Sequence, residues 1–143
     1  MLIATILKDK GSDVVTVPAM ATATEIAAVL SARRIGAVLV LAEGEAPLGI
    51  VSERDIVRAL AAHGGRALDM TAARLMTPVR HTLRPDSSVQ EAMATMTDKR
   101  VRHLPVLDGG RLAGMISIGD VVKARIAETD QAVDALTAYV AGG

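Results

Sequence analysis

Two short stretches of the chain combine residue types and a spacing that can do chemistry: Gly49-Ile50-Val51-Ser52-Glu53-Arg54-Asp55 and Gly114-Met115-Ile116-Ser117-Ile118-Gly119-Asp120. Each sets a glycine, two apolar residues, a serine and, three positions on, an aspartate between an apolar run and an apolar-periodic one. A hydroxyl and a carboxylate so spaced at a helix start form a capping-box-like pair that satisfies free backbone N–H groups. The same pair is also suited to recognition. The glycine lets a backbone or a ligand come close, and the helix N-terminus is a ready anion site. A carboxylate there is badly placed for a phosphate but well placed to accept both hydroxyl protons of a ribose diol. The serine can serve the sugar or the phosphate, while Ile50-Val51 and Met115-Ile116 offer aliphatic surfaces to a base. Spacing alone leaves capping and recognition both open, because Thr22 with Glu25 and Ser88 with Glu91 use the same device.

The elements that position these residues occur twice. Aligned with itself, the chain pairs Thr16 with Thr82, Glu25 with Glu91, Arg34 with Arg100, and Val40-Leu41 with Val106-Leu107. The register then shortens by one residue, so that Gly49 meets Gly114, Ser52 meets Ser117 and Asp55 meets Asp120; the missing residue falls in the loop between Leu41 and Gly49. Such a change in a turn is what a duplicated fold tolerates. Each repeat reads strand, helix, strand, strand, helix. Val14 to Val17 is short and β-branched, Ile26, Val29 and Leu30 form a helical stripe, and Ala37 to Leu41 has the length of a buried strand. The second copy repeats this with Thr82-Leu83, then Val89, Met93 and Met96, then Leu104 to Leu107. Asp108-Gly109-Gly110 is a hairpin signal leading into Leu112 to Ile116. His63-Gly64-Gly65 stops a helix, Asp69 to Met76 is a short connecting element before Pro78, and Asp120 to about Val140 can be one long helix. The expected class is α/β (α+β), with two βαββα half-domains packed together.

Composition narrows the chemistry. The chain has 143 residues, half of them apolar, enough for a real core. Sixteen basic and sixteen acidic residues cancel, so no overall field favours a nucleic acid or an anionic membrane. The opening Met-Leu-Ile-Ala-Thr-Ile-Leu is too short to span a bilayer and lacks the basic start and cleavage site of a secretory signal, so a cytoplasmic location is expected. The absence of cysteine excludes disulfides and thiolate metal sites, and no metal site is expected. With Tyr139 the only aromatic residue, a bound purine must sit between aliphatic side chains. There is no HExxH, P-loop or G-x-S-x-G motif, so the chain is not expected to be an enzyme.

Tandem βαββα repeats, each ending in glycine, two apolar residues, serine, two variable residues and aspartate, resemble a pair of CBS (cystathionine β-synthase) domains, also called a Bateman module. The second copy also carries the typical Val101-Arg102-His103-Leu104-Pro105-Val106. The resemblance runs from about Val14 to Ile126 and points to stand-alone bacterial CBS-pair proteins with a short N-terminal helix. It implies pseudo-two-fold packing of the repeats, with residues 1–13 as N-terminal helix and lead-in, 14–64 as repeat 1, 65–79 as linker, 80–127 as repeat 2 and 128–143 as an extension of the last helix. It further implies an adenosine-containing regulatory ligand (AMP, ADP, ATP, NAD or S-adenosylmethionine), a homodimer, and a regulated protein partner.

Carried over by position, the resemblance implies two composite sites. In one, Asp120 and Ser117 hold a ribose and its phosphate, Met115 and Ile116 lie on the base, and Lys10, Gly11, Thr16, Ile35 and Ala37 form the facing wall. In the other, Asp55 and Ser52 act with Ile50 and Val51, facing Met76, Thr77, Thr82, Val101 and His103. Arg102 and His103 are the expected phosphate partners, helped by Arg54, Arg58 or Lys123. Gly36-Ala37 stands in the first repeat where Arg102-His103 stands in the second, so the two sites are not equivalent. The dimer is expected to cover Ile56, Val57 and Leu60 beside Val121, Val122 and Ile126. The rival expectation is a structural or partner-binding dimer with no nucleotide ligand.

Overall fold

Polar hydroxyls at helix starts and positive-φ residues at helix ends punctuate the chain into the elements the repeat requires. The computed structural model describes residues 1–43 and 46–142. They divide into two units, one made of residues 13–80 with the hairpin tip 109–112, the other of residues 1–12, 81–108 and 113 onwards.

The first unit contains β1 (Thr16–Pro18), α2 (Ala23–Arg33), β2 (Ala37–Leu41), β3 (Pro47–Ser52), α3 (Glu53–His63), a 3₁₀ turn (Gly64–Asp69), α4 (Ala72–Leu75) and β4 (Thr77–Pro78). Its sheet runs β1-β2-β3-β4, with β1 parallel to β2 and the other pairs antiparallel. Val38, Val40, Val51, Ile26 and Leu30 fill the core beneath it. The turn between β2 and β3, where the repeats differ by one residue, lies partly outside the described residues.

The second unit contains α1 (Ile3–Lys10), α5 (Val89–Lys99), β5 (His103–Asp108), β6 (Arg111–Ser117) and α6 (Ile118–Gly142). Gly109 and Gly110, with φ of 58° and 82°, make the two-residue turn between β5 and β6 that the Asp-Gly-Gly run predicts. The expected first strand at Thr82-Leu83 is reduced to one parallel bridge, Leu83 to Val106. Proline explains the loss. In the first unit Leu39 N–H donates to the Val15 carbonyl at 3.0 Å. Pro105 stands in the position of Leu39 and has no N–H to give, which leaves only the two bonds around Leu83.

Each unit is completed by the short helix that precedes the other repeat. α1 buries Ile3, Ile6 and Leu7 in the core with Val89, Leu104 and Ile116, and α4 buries Ala72 and Leu75 in the core with Ile26 and Val51. Neither helix has a side-chain cap. Their first N–H groups instead donate to the loop before the repeat's first helix: Ile3 to Ser87 and Ala4 to Pro85 at 2.9 Å each, Ala72 to Ala21 at 2.7 Å and Ala73 to Ala19 at 2.9 Å. The orphan donors of a helix start are thereby satisfied without a polar residue, twice and in the same way.

α2 and α5 end at arginines in the left-handed region, Arg34 and Arg100, each with φ of 53°. That conformation costs a residue with a Cβ roughly 1–2 kcal/mol, against the roughly 0.5–1 kcal/mol of extra backbone entropy that glycine loses on folding. Arg100→Gly is therefore expected to raise stability by about 0.5 to 1 kcal/mol, read as a higher urea midpoint at unchanged slope. A lower midpoint would mean that the guanidinium itself helps hold the helix end.

Candidate functional site

Both serine–aspartate pairs sit where a strand hands over directly to a helix. The turn is pinned identically in the two units: Glu53 N–H donates to the Gly36 carbonyl at 3.0 Å, and Ile118 N–H to the Arg102 carbonyl at 2.8 Å. Gly36 and Arg102 thus play one backbone role, and only their side chains differ.

Within that turn the capping reading is realised in full. Ser52 N–H donates to Asp55 Oδ2 at 2.8 Å, Ser52 Oγ donates to the same oxygen at 3.0 Å, and Asp55 N–H donates back to Ser52 Oγ at 3.3 Å. The second pair matches, with Ser117 N–H to Asp120 Oδ2 at 2.8 Å and Asp120 N–H to Ser117 Oγ at 3.2 Å. At α2 and α5 the cap is one-way, Glu25 and Glu91 N–H donating to Thr22 Oγ1 at 3.2 Å and Ser88 Oγ at 3.0 Å. The cap uses only Oδ2 of each aspartate, so Oδ1 takes no part in it. A carboxylate held in this way is fixed in direction before any ligand arrives.

The glycines that open the two motifs serve the lead-in helices. A Cβ on Gly49 would lie 2.6 Å from Met76 Sδ and 2.8 Å from the Thr77 carbonyl oxygen, and one on Gly114 would lie 2.5 Å from Leu7 Cδ2. β4 follows α4 and pairs Ile50 with Thr77, which sets Met76 and Thr77 beside the first motif. The end of α1 sets Lys10 beside the second: Lys10 Nζ donates to Asp120 Oδ2 at 2.8 Å and to the Met115 carbonyl at 2.9 Å. Glycine and motif spacing are visible in sequence; only the family resemblance sets Lys10 opposite Asp120, and the direct ion pair shows only in the fold.

Asp120 consequently titrates below its ordinary value. Burial pushes its pKa up, but the hydrogen bond from Lys10, the backbone N–H and hydroxyl of Ser117 and the Lys10 charge together outweigh it and bring it below 3.8. A carboxyl with a lower pKa folded than unfolded adds stability above its ordinary pKa, and that stability disappears as pH falls through the folded value. Lys10→Met, which gives this turn the residue type found at Met76, should therefore lower stability at about pH 6 and make little difference at about pH 2. Urea unfolding at both pH values checks this, and an equal loss at both would remove the ion pair as the cause.

The other expected site residues are distributed as follows. Ile50 and Met115 are half-buried, whereas Val51 and Ile116 belong to the two cores; Ala37 is buried too, but on the sheet face it shares with Ile50 and Ser52. Thr16, Thr77 and Thr82 are exposed, Gly11 follows α1, and Ile35, Val101 and His103 are partly buried. Arg54 and Arg58 are exposed on α3, Arg102 at the foot of β5 and Lys123 one turn after Asp120 on α6. The first unit holds Thr16, Ile35, Ala37, Ile50, Val51, Ser52, Asp55, Met76 and Thr77, and the second holds Lys10, Gly11, Thr82, Val101, Arg102, His103, Met115, Ile116, Ser117 and Asp120. Among the described residues no cluster of histidine, aspartate and glutamate could hold a metal ion, and no helix is long and apolar enough to cross a membrane.

Comparison with known proteins bears on the family and the fold. The family model for the CBS domain matches residues 8–62 and 72–127. A crystal structure of a CBS-domain containing protein from Agrobacterium tumefaciens is 43% identical, with a TM-score of 0.83 over 87% of this chain and 99% of that one. A CBS domain protein from Pyrobaculum aerophilum complexed with AMP is 30% identical, with a TM-score of 0.74 over 84% of this chain and 89% of that one. A mitochondrial CBS domain-containing protein of Arabidopsis thaliana is 36% identical over 118 residues, which are 80% of this chain but 57% of that protein. The chain thus spans less than two thirds of that relative's length.

Proposed function

Because the chain belongs to the CBS-domain family, with two copies of the domain over most of its length, we propose that it is a non-catalytic sensor. In this reading it binds an adenosine nucleotide and signals its presence to a protein partner. The observation that carries the reading is the pair of oriented aspartates. Each is locked through Oδ2 by its own serine and backbone, leaving Oδ1 aimed by the fold and able to accept from ribose hydroxyls without a further ordering cost. AMP is the first candidate, since the relative from Pyrobaculum aerophilum is complexed with it; ADP, ATP, NAD and S-adenosylmethionine share its adenosine.

Ser52 with Asp55 and Ser117 with Asp120 form the ribose and phosphate ends, Ile50 and Met115 the apolar surfaces, and the rest of each site follows the family resemblance. The two sites differ in chemistry. Lys10 already neutralises Asp120, while the corresponding residue near Asp55 is the uncharged Met76. The chain acts as a homodimer in this reading, for Val57, Leu60, Val122 and Ile126 are exposed at 63%, 38%, 52% and 58%, and a second copy is the simplest cover; Ile56 and Val121, expected on the same face, are instead buried in the cores of their own units. The cytoplasm remains the expected location.

A thermal-shift series with AMP, ADP, ATP, NAD, S-adenosylmethionine and GMP tests the function. A ligand at 100 times its dissociation constant adds about 2.7 kcal/mol, so at least one adenosine compound should raise the melting temperature by several degrees. GMP should not, because guanine reverses adenine's donor and acceptor and leaves buried groups unpaired. No shift with any of them would favour a structural or partner-binding dimer, in which the aspartates are caps alone.

A further inference from the structure

α6 outlasts the unit it closes. Val121 and Ala124 are buried in that unit's core, yet from Thr129 to Ala141 every residue of the helix is exposed. A lone stretch of about 12–15 residues is marginal as a helix in water, and this one is far from polar, with Val133, Leu136 and Val140 exposed at 56%, 64% and 69%. The apolar positions are not scattered. Val122, Ile126, Thr129, Val133, Leu136 and Val140 succeed one another at alternating steps of four and three, the a/d seam of a heptad repeat. Ile126, Val133 and Val140 fall at a, and Val122, Thr129 and Leu136 fall at d. β-Branched residues at every a, with leucine at the d position between Val133 and Val140, favour two parallel strands.

The flanking charges name the same partner. Arg125, whose Nη1 donates to Glu128 Oε2 at 2.9 Å on its own helix and leaves the other guanidinium N–H groups to reach further, falls at g and Asp130 at e of the next heptad, the two positions that face each other across a parallel, in-register pair. Two copies of this helix would therefore make that opposite-charge contact twice, once on each side of the seam. We propose that the seam of α6 from Val122 to Val140 pairs in parallel and in register with the same helix of a second copy of the chain. The pairing continues from the exposed Val122 and Ile126 of the dimer face and does not depend on nucleotide binding.

Since the chain has no cysteine, single-cysteine variants of the full chain report this contact without background. Val133→Cys and Val140→Cys place a thiol at a, and Asp134→Cys places one at b, pointing away from the seam. Under mild oxidation with oxidised glutathione, both a-position variants should form covalent dimers about ten-fold faster than the Asp134→Cys control, because only there do the two copies approach within disulfide reach. Crosslinking at one a position but not the other would mean an antiparallel pair. Crosslinking at neither would mean that something else covers the seam, and either result overturns the proposal. All three positions are exposed, so an unchanged urea midpoint of the reduced proteins verifies that the units remain folded. AMP binding by the reduced variants, measured alongside, keeps failure of the seam distinct from failure of the nucleotide reading.

Discussion

Ile3→Ala is expected to cost about 2 to 5 kcal/mol of stability, the range for removing a fully buried isoleucine from a packed core. Ile3 is completely buried, in a cluster with Val89, Leu104, Val106 and Ile116, residues far along the chain from it. If α1 were only a leader, the same change would be worth a few tenths of a kcal/mol, as for a surface substitution. Thr5→Ala, on an exposed face of the same helix, supplies the control and should stay within about 0.5 kcal/mol of the native chain. Urea denaturation of the two variants decides the matter: equal midpoints would show that α1 is not part of the second unit's core. The lead-in helix also carries Lys10 to Asp120 and Leu7 to Gly114. A loosened α1 should thus disturb the second motif before the first.

The repeat, the α/β class and the strand-to-helix turns are legible in the sequence because they are local or periodic. Apolar spacing fixes α2 and α5, two adjacent glycines fix the β5–β6 turn, and Ser-x-x-Asp fixes the starts of α3 and α6. Other features depend on contacts between residues distant in sequence. The Ile3, Ile6 and Leu7 spacing announces an amphipathic helix, but not that it closes the second unit. Gly49 and Gly114 read equally well as room for a ligand, and the structure fills that room with Met76, Thr77 and Leu7. The shrinking of the Thr82-Leu83 strand to a single bridge depends on Pro105, whose missing N–H matters only once its partner across the ladder is known. Val51 and Ile116 look like surface for a base because they flank the motif, yet alternation along β3 and β6 turns them inward.

Capping is now a structural fact, and recognition has to be measured beside it. Asparagine caps a helix about as well as aspartate, so Asp55→Asn should cost only a few tenths of a kcal/mol in stability. Asp120→Asn also loses the partly exposed ion pair with Lys10, worth up to about 1 kcal/mol. Ligand binding should respond more strongly. A charged acceptor shared by two ribose hydroxyls is worth about 1.5 to 3 kcal/mol, so each variant should weaken its own site roughly ten- to a hundred-fold. The most direct measurement is a calorimetric titration of AMP into the native chain and into the Asp55→Asn, Asp120→Asn double variant. The native chain should bind, and the double variant, still folded, should lose most of that affinity. Binding of AMP by the double variant with native affinity would reduce both aspartates to caps and contradict the assignment of the sites.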